Sequence, residues 1–348
     1  RKAIESLHHP APGASLEALQ EKTDPAWQRL KFDELLAQQI ALKRSRKLRE
    51  TNKAPLMPFP KGRTDSLSFK FYKSLPFKLT GAQKRVWNEI VGSLQSDRPM
   101  NRLVQGDVGS GKTVIAALAA CQAIDCGYQA ALMAPTEILA EQHFRKIISW
   151  LEPFGVRVVW LSGKQKAKEK REALKAIADG AELVVGTHAL ISQAVAFHNL
   201  ALIVADEQHR FGVAQRAALA GKSGKGISPH VLVMSATPIP RTLALIIYGD
   251  LDISVIDQLP PGRTPVSTYV VREDKRQRMY GFVRRQVAEG RQAYIICPAV
   301  EENPDAALPG EESPALNLKA VKTYAAKLQK EVFPDLRLDI LHGKMKPK

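Results

Sequence analysis

No stretch of this sequence stays apolar long enough to cross a bilayer, and its first residues hold no apolar secretion-signal core. The expectation is a cytoplasmic protein with no membrane partner. Cysteine is scarce: Cys121, Cys126 and Cys297 form neither a metal-ligand spacing nor a disulfide framework. Buried thiols in a reducing compartment fit that pattern best. No repeat of short period is present, though a second α/β unit could echo the first. Acidic residues are in deficit, with 35 Asp and Glu against 51 Lys and Arg, a formal charge of +16. The isoelectric point near 9.7 follows from that imbalance. A chain so short of negative charge suits a polyanionic partner, because each phosphate it neutralises releases counterions. A merely basic surface is the alternative, and charge alone does not separate the two.

What is present is a soluble-protein composition, 45% hydrophobic, on 348 residues. That length exceeds one compact core and suggests two domains or more. Residues 1 to about 30 read as loop-rich, and Ala26 to Thr51 as a helix ending in the basic run Lys43–Lys47. Pro55, Pro58 and Pro60 mark a connector. After residue 71 short apolar runs alternate with helical patterns. Runs at Ala130–Ala134, Val156–Leu161, Leu183–Val185, Leu202–Val204 and Val231–Met234 are nearly all apolar, as parallel strands buried on both faces require. Helices are expected at Glu137–Trp150 and Lys166–Ala178. Pro260-Pro261-Gly262 reads as a joint, beyond which the alternation restarts. There, strands are expected at Val266–Val271, Ala293–Cys297 and Leu336–Leu341, with helices at Lys275–Glu289 and Leu318–Val332. Those strands are too few to close a second sheet.

The chemistry begins at Gly106-Asp107-Val108-Gly109-Ser110-Gly111-Lys112-Thr113, a G-x-x-x-x-G-K-[ST] loop between an apolar run and a helix start. This arrangement puts unpaired backbone N–H groups and a helix N-terminus around one anion. Lys112 would reach the β- and γ-phosphates, and Thr113 would take a Mg²⁺ position. The chain is therefore expected to bind a nucleoside triphosphate. Asp206-Glu207-Gln208-His209 follows the run Leu202–Val204. In that position Asp206 would hold the metal, and Glu207 would orient and deprotonate the attacking water. Ser235-Ala236-Thr237 follows the next run, where two small hydroxyls could bond Gln208 or His209 and relay the phosphate state. Gln83, upstream of the loop, carries an amide able to pair with an adenine edge.

The ordered set Gly106–Thr113, Ala134–Glu137, Gly186–His188, Asp206–His209 and Ser235–Thr237 resembles the first motor domain of superfamily 2 helicases. Longer stretches are similar to the RecG family of bacterial DNA helicases. They are Gln105–Thr113, Ala134–His143, Asp206–Val213, Ala236–Leu243 and Tyr248–Leu251. Transcription–repair coupling translocases share Pro238–Thr242 but usually carry Glu where Gln208 stands, a weaker likeness. The resemblance implies a RecA-like α/β domain, a truncated second one, and a helical linker before both. The boundaries expected are 1–70, 71–262 and 263–348.

It implies Gln83 as adenine reader and Gln208 and His209 in the ATP site. Pro135, Thr136, Glu137, Thr187 and His188 would track DNA, and Ser235, Ala236, Thr237 and Arg241 would couple the two. ATP and Mg²⁺ would be the cofactors. Forked or branched duplex DNA and a single-stranded DNA-binding protein would be partners of a monomeric, nucleoid-associated enzyme. The family's wedge domain would precede Arg1, and the motifs supplying an arginine finger would follow Lys348. Without that finger the rate could fall by about 10³–10⁵, so weak or absent turnover is expected of this chain alone. Three readings stay open beside the DNA motor: an RNA helicase or other duplex translocase, a phosphate-loop kinase, and an ATP- and DNA-binding module without turnover.

Overall fold

The computed structural model describes residues 2–59, 62–206, 219, 221–222, 227–236, 251–259, 266–299, 320–343 and 345. Glu207, Gln208, His209, Thr237, Arg241 and the stretch 238–250 lie outside the described residues. The chain divides into two compact units, Arg1–Arg263 and Thr264–Lys348.

Among the described residues the first unit holds seven strands. They are β1 (Asn101–Gly106), β2 (Gln129–Met133), β3 (Val158–Leu161), β4 (Leu183–Gly186), β5 (Leu200–Asp206), β6 (His230–Ser235) and β7 (Asp252–Ile256). Their order is β3-β4-β2-β5-β6-β1-β7 and every pairing is parallel. β2, β4 and β5 are buried at every residue, which is why their sequences read as unbroken apolar runs. β7 escapes a reading based on such runs. Among the described residues it pairs only with β1, and its Asp252 and Val255 are not buried.

Before the sheet come α1 (Lys2–His8), α2 (Leu16–Gln20), α3 (Pro25–Glu50), α4 (Leu67–Ser74) and α5 (Gly81–Leu94). The expected loop-rich start is thus partly helical: Ser15 caps α2 by accepting from Ala18 N, and α1 packs on α3. Between and after the strands run α6 (Lys112–Asp125), α7 (Glu137–Leu151) and α8 (Ala167–Ala178). Among the described residues no helix is long and apolar enough to cross a membrane.

The proline-marked connector is part of the core. Met57 is fully buried, its N–H donates to Leu94 O at 2.9 Å, and its carbonyl accepts from Gln122 Nε2 at 2.7 Å. Pro55 O accepts from His230 Nε2 at 2.8 Å. A segment without regular hydrogen bonds can be buried when other groups satisfy its polar atoms, and here Gln122 and His230 do so. α6 is buried continuously from Val114 to Ala123, between the sheet and α4. Its five buried alanines let both neighbours approach closely. Asp125, beyond them, accepts from Leu67 N and Ser68 N and so caps α4. Only Cys121 is a fully buried thiol; Cys126 and Cys297 are half-buried, contrary to expectation.

The second unit contains α9 (Arg276–Ala288) and α10 (Val321–Lys327), the latter continuing as a π-turn over Leu328–Val332. Tyr280, Leu328 and Phe333 form its small core. None of the strands expected at 266–271, 293–297 or 336–341 is formed. The apolar side chains are there, but a strand needs a partner for its N–H and C=O groups. Lacking one, Val270 is 99% exposed and Ile296 93%.

Candidate nucleotide and DNA site

Because all seven strands of the first unit run in one direction, their C-terminal ends open on a single edge. The loop after β1, Ser235 ending β6 and Asp206 ending β5 stand on three adjacent strands of that edge. Pro135–Glu137 follow β2 and Thr187–His188 follow β4, the next two strands along. The edge outside the carboxyl ends of a parallel sheet is where such folds take ligands.

The loop is shaped for an anion. Gly111 is the N-cap of α6 at φ +92°, a left-handed conformation that side chains disfavour. A Cβ there would also stand 2.3 Å from Gln83 Nε2, and one on Gly106 would stand 2.6 Å from Ser110 Oγ. Gly111 makes no side-chain cap bond, and a helix start directs its N–H groups toward an anion. Ser110 Oγ is buried without a hydrogen-bond partner. Lys112 folds back over the loop, donating to Gly106 O at 2.6 Å and Asp107 O at 3.0 Å. Asp107 Oδ1 accepts from Val108 N, and Val108 itself is 63% exposed. Gly109 also lies in the left-handed region, and Thr113, one residue past Lys112, is half-buried. These features fit a triphosphate: a helix start, one cation and a backbone that no Cβ blocks.

Gln83 is tied into the loop's surroundings. Its Oε1 accepts from Thr80 N at 2.9 Å, completing a capping box with the Thr80 hydroxyl, and its Nε2 donates to Ser110 O at 2.7 Å. The residue is 2% exposed. The amide thus ties the start of α5 to the phosphate loop. The capping pattern T-x-x-Q was visible at Thr80–Gln83 and would have signalled this.

Asp206 is buried at the end of β5, and His143 of α7 meets its Oδ2 through Nε2 at 2.6 Å. Sequence reasoning assigned His143 no part. Among the described residues no group of three or more His, Cys, Asp or Glu forms a metal cluster. A magnesium ion carried on a triphosphate does not need one, since it is held through one or two carboxylates, waters and phosphate oxygens. Asp206 and Thr113 are the residues on this edge suited to hold it.

Along the other half of the edge, Thr136 caps α7 by accepting from Leu139 N at 3.3 Å. Glu137 binds Lys164 Nζ at 2.7 Å and accepts from Ser162 Oγ. Ser162 and Lys164 follow β3, so a third strand end joins this group unforeseen. Thr187 is nearly buried, its N–H donating to Leu161 O, and His188 opens a 3₁₀ turn.

The DEAD/DEAH box helicase family matches residues 80–246. The ATP-dependent DNA helicase RecG of Haemophilus influenzae is 48% identical over 350 residues, covering 100% of this chain and 48% of that protein. RecG of Escherichia coli K12 is 46% identical, over 99% of this chain and 48% of its own length. A solved structure of RecG bound to a three-way DNA junction aligns with a TM-score of 0.67 at 45% identity, over 77% of this chain and 35% of that one. The chain belongs to the RecG family. It spans about half the length of the RecG relatives it matches. The translocase alternative, already disfavoured at Gln208, finds no support in these matches.

Proposed function

We propose that this chain is the motor portion of a RecG-type DNA helicase, which hydrolyses ATP to move on duplex DNA and remodel forked or branched substrates. The observation that carries the reading is the shared edge. A phosphate loop, a buried carboxylate two strands away and the β2 and β4 turns stand side by side in a sequence 48% identical to a RecG. Residues 71–262 form the ATP-binding domain and 263–348 part of a second RecA-like domain, with 1–70 leading into them.

ATP with Mg²⁺ sits against the N-terminus of α6. Gly106–Gly111 give N–H groups to the phosphates, Lys112 leaves its loop carbonyls for phosphate oxygens, and Thr113 and Asp206 hold the metal. Bound Mg²⁺ supplies charge neutralisation on the phosphates. Gln83 fixes the loop from behind. Glu207 orients and deprotonates the water, with Gln208 and His209 beside it. Ser235, Ala236, Thr237 and Arg241 relay the phosphate state. Pro135, Thr136, Glu137, Thr187 and His188 follow the phosphate backbone, where amide and hydroxyl contacts carry no sequence information.

Equilibrium titration with a fluorescent ATP analogue tests the nucleotide half. Lys112→Ala should lose most Mg²⁺-ATP affinity, since a charge-assisted contact to phosphate disappears. Unchanged binding would overturn the assignment.

A further inference from the structure

Helix α7 touches both halves of the edge. Its N-cap is Thr136, inside the turn assigned to DNA, and its second turn carries His143, 2.6 Å from Asp206. Both side chains of that pair are only 12% exposed, so water competes little for the bond. Between turn and bond the helix is uninterrupted. Ala140, Ile147 and Leu151 are buried, and Phe144 and Trp150 pack against Trp160 and Phe71 with ring centroids 5.6 Å apart. A helix anchored in this way moves as a body. A shift at Thr136 would therefore reach His143 within two turns.

We propose that His143 is a positioning residue that couples DNA contact at the β2–α7 turn to the orientation of the Asp206 carboxylate, and hence to Mg²⁺-nucleotide binding. This rests on the ATP and DNA reading of the edge given above. The donor is the His143 Nε2–H. By engaging Oδ2 it sets the rotation of the carboxylate. DNA drawn against Pro135–Glu137 tilts α7 and alters that bond. By linkage, nucleotide changes DNA affinity by the same factor.

The test is a pair of titrations on the full chain: a fluorescent ATP analogue with Mg²⁺, in the presence and absence of saturating duplex DNA. Wild type should show a ratio of the two Kd values on the order of 5–150. His143→Leu, which keeps volume without a donor, and His143→Ala should each bring the ratio close to one while both ligands still bind. His143→Gln, which can place an N–H near the same point, should restore it. A merely structural role would lower melting temperature without this pattern of loss and rescue. A wild-type ratio well above one that persists in both non-donor variants overturns the coupling alone. So does a ratio lost equally in the Gln variant. A wild type that binds neither nucleotide nor DNA overturns the reading of the edge, and this inference with it.

Discussion

Two residues, His230 and Gly111, set expectations at the smallest scale. His230 is fully buried, accepting from Met100 N at Nδ1 and donating from Nε2 to Pro55 O. Burial lowers its pKa from the ordinary 6.5, because the imidazolium is poorly solvated and would turn a second proton toward an N–H donor. A histidine with a depressed folded pKa contributes stability that is complete above the unfolded pKa. That contribution is lost as pH falls below about 6.5 and through the folded value. Melting temperature should therefore drop between pH 7 and pH 5, and His230→Asn should flatten that slope while lowering stability at pH 7. An unchanged slope would show that other groups carry the acid sensitivity.

Gly111 gives a second expectation. Alanine there must adopt the left-handed region and displace the Gln83 amide 2.3 Å from its Cβ. Gly111→Ala should cost about 1–3 kcal/mol, read by urea unfolding, and weaken nucleotide binding beyond that loss. The glycines of the loop were legible in the sequence because their spacing is the signature of the site. The hydrogen bond of Gln83 to Ser110 was not legible, since a sequence offers an amide's chemistry but not the partners it meets.

Elements were legible where burial was two-sided. The β2, β4 and β5 runs announced themselves because both faces are covered, whereas β7 at the sheet edge mixes Asp252 and Ser254 with its apolar residues. The Pro55–Pro60 segment read as a connector because prolines break periodicity, though its carbonyls are built into the core by Gln122 and His230. Helix α5 shows how an element end serves the site. Thr80 and Gln83 cap each other reciprocally, and Gln83 then reaches Ser110. Thr80→Ala removes one half of that cap and should cost about 1 kcal/mol. Nucleotide affinity should fall in the same variant, because Gln83 loses its register against the loop. Chemical denaturation and analogue titration on one sample read both effects. A stability loss with unchanged affinity would separate the cap from the loop.

At the scale of the whole molecule, the two units differ in how far their sequences are realised. The first unit satisfies its strands; in the second, apolar segments at 266–271, 293–297 and 336–341 lie unpaired among the described residues, with Tyr294 87% and Leu341 88% exposed. Hydrogen exchange should find strong protection over β1, β2, β4, β5 and β6 and weak protection across 266–271 and 293–297, since amides outside a ladder exchange freely. Addition of Mg²⁺-ATP should raise protection in the first unit through linkage. Equal protection of both units in a monomer would contradict this account of the second. The charge of +16 carries a further consequence, that duplex binding should weaken steeply with salt and show little preference among base sequences. The central claim, an ATP-driven motor on duplex DNA, is tested most directly by the steady-state ATP hydrolysis of the full-length protein with and without branched duplex DNA. Hydrolysis should rise with branched DNA and be abolished in Lys112→Ala and Glu207→Gln. Hydrolysis indifferent to DNA, or undiminished in those variants, would contradict it.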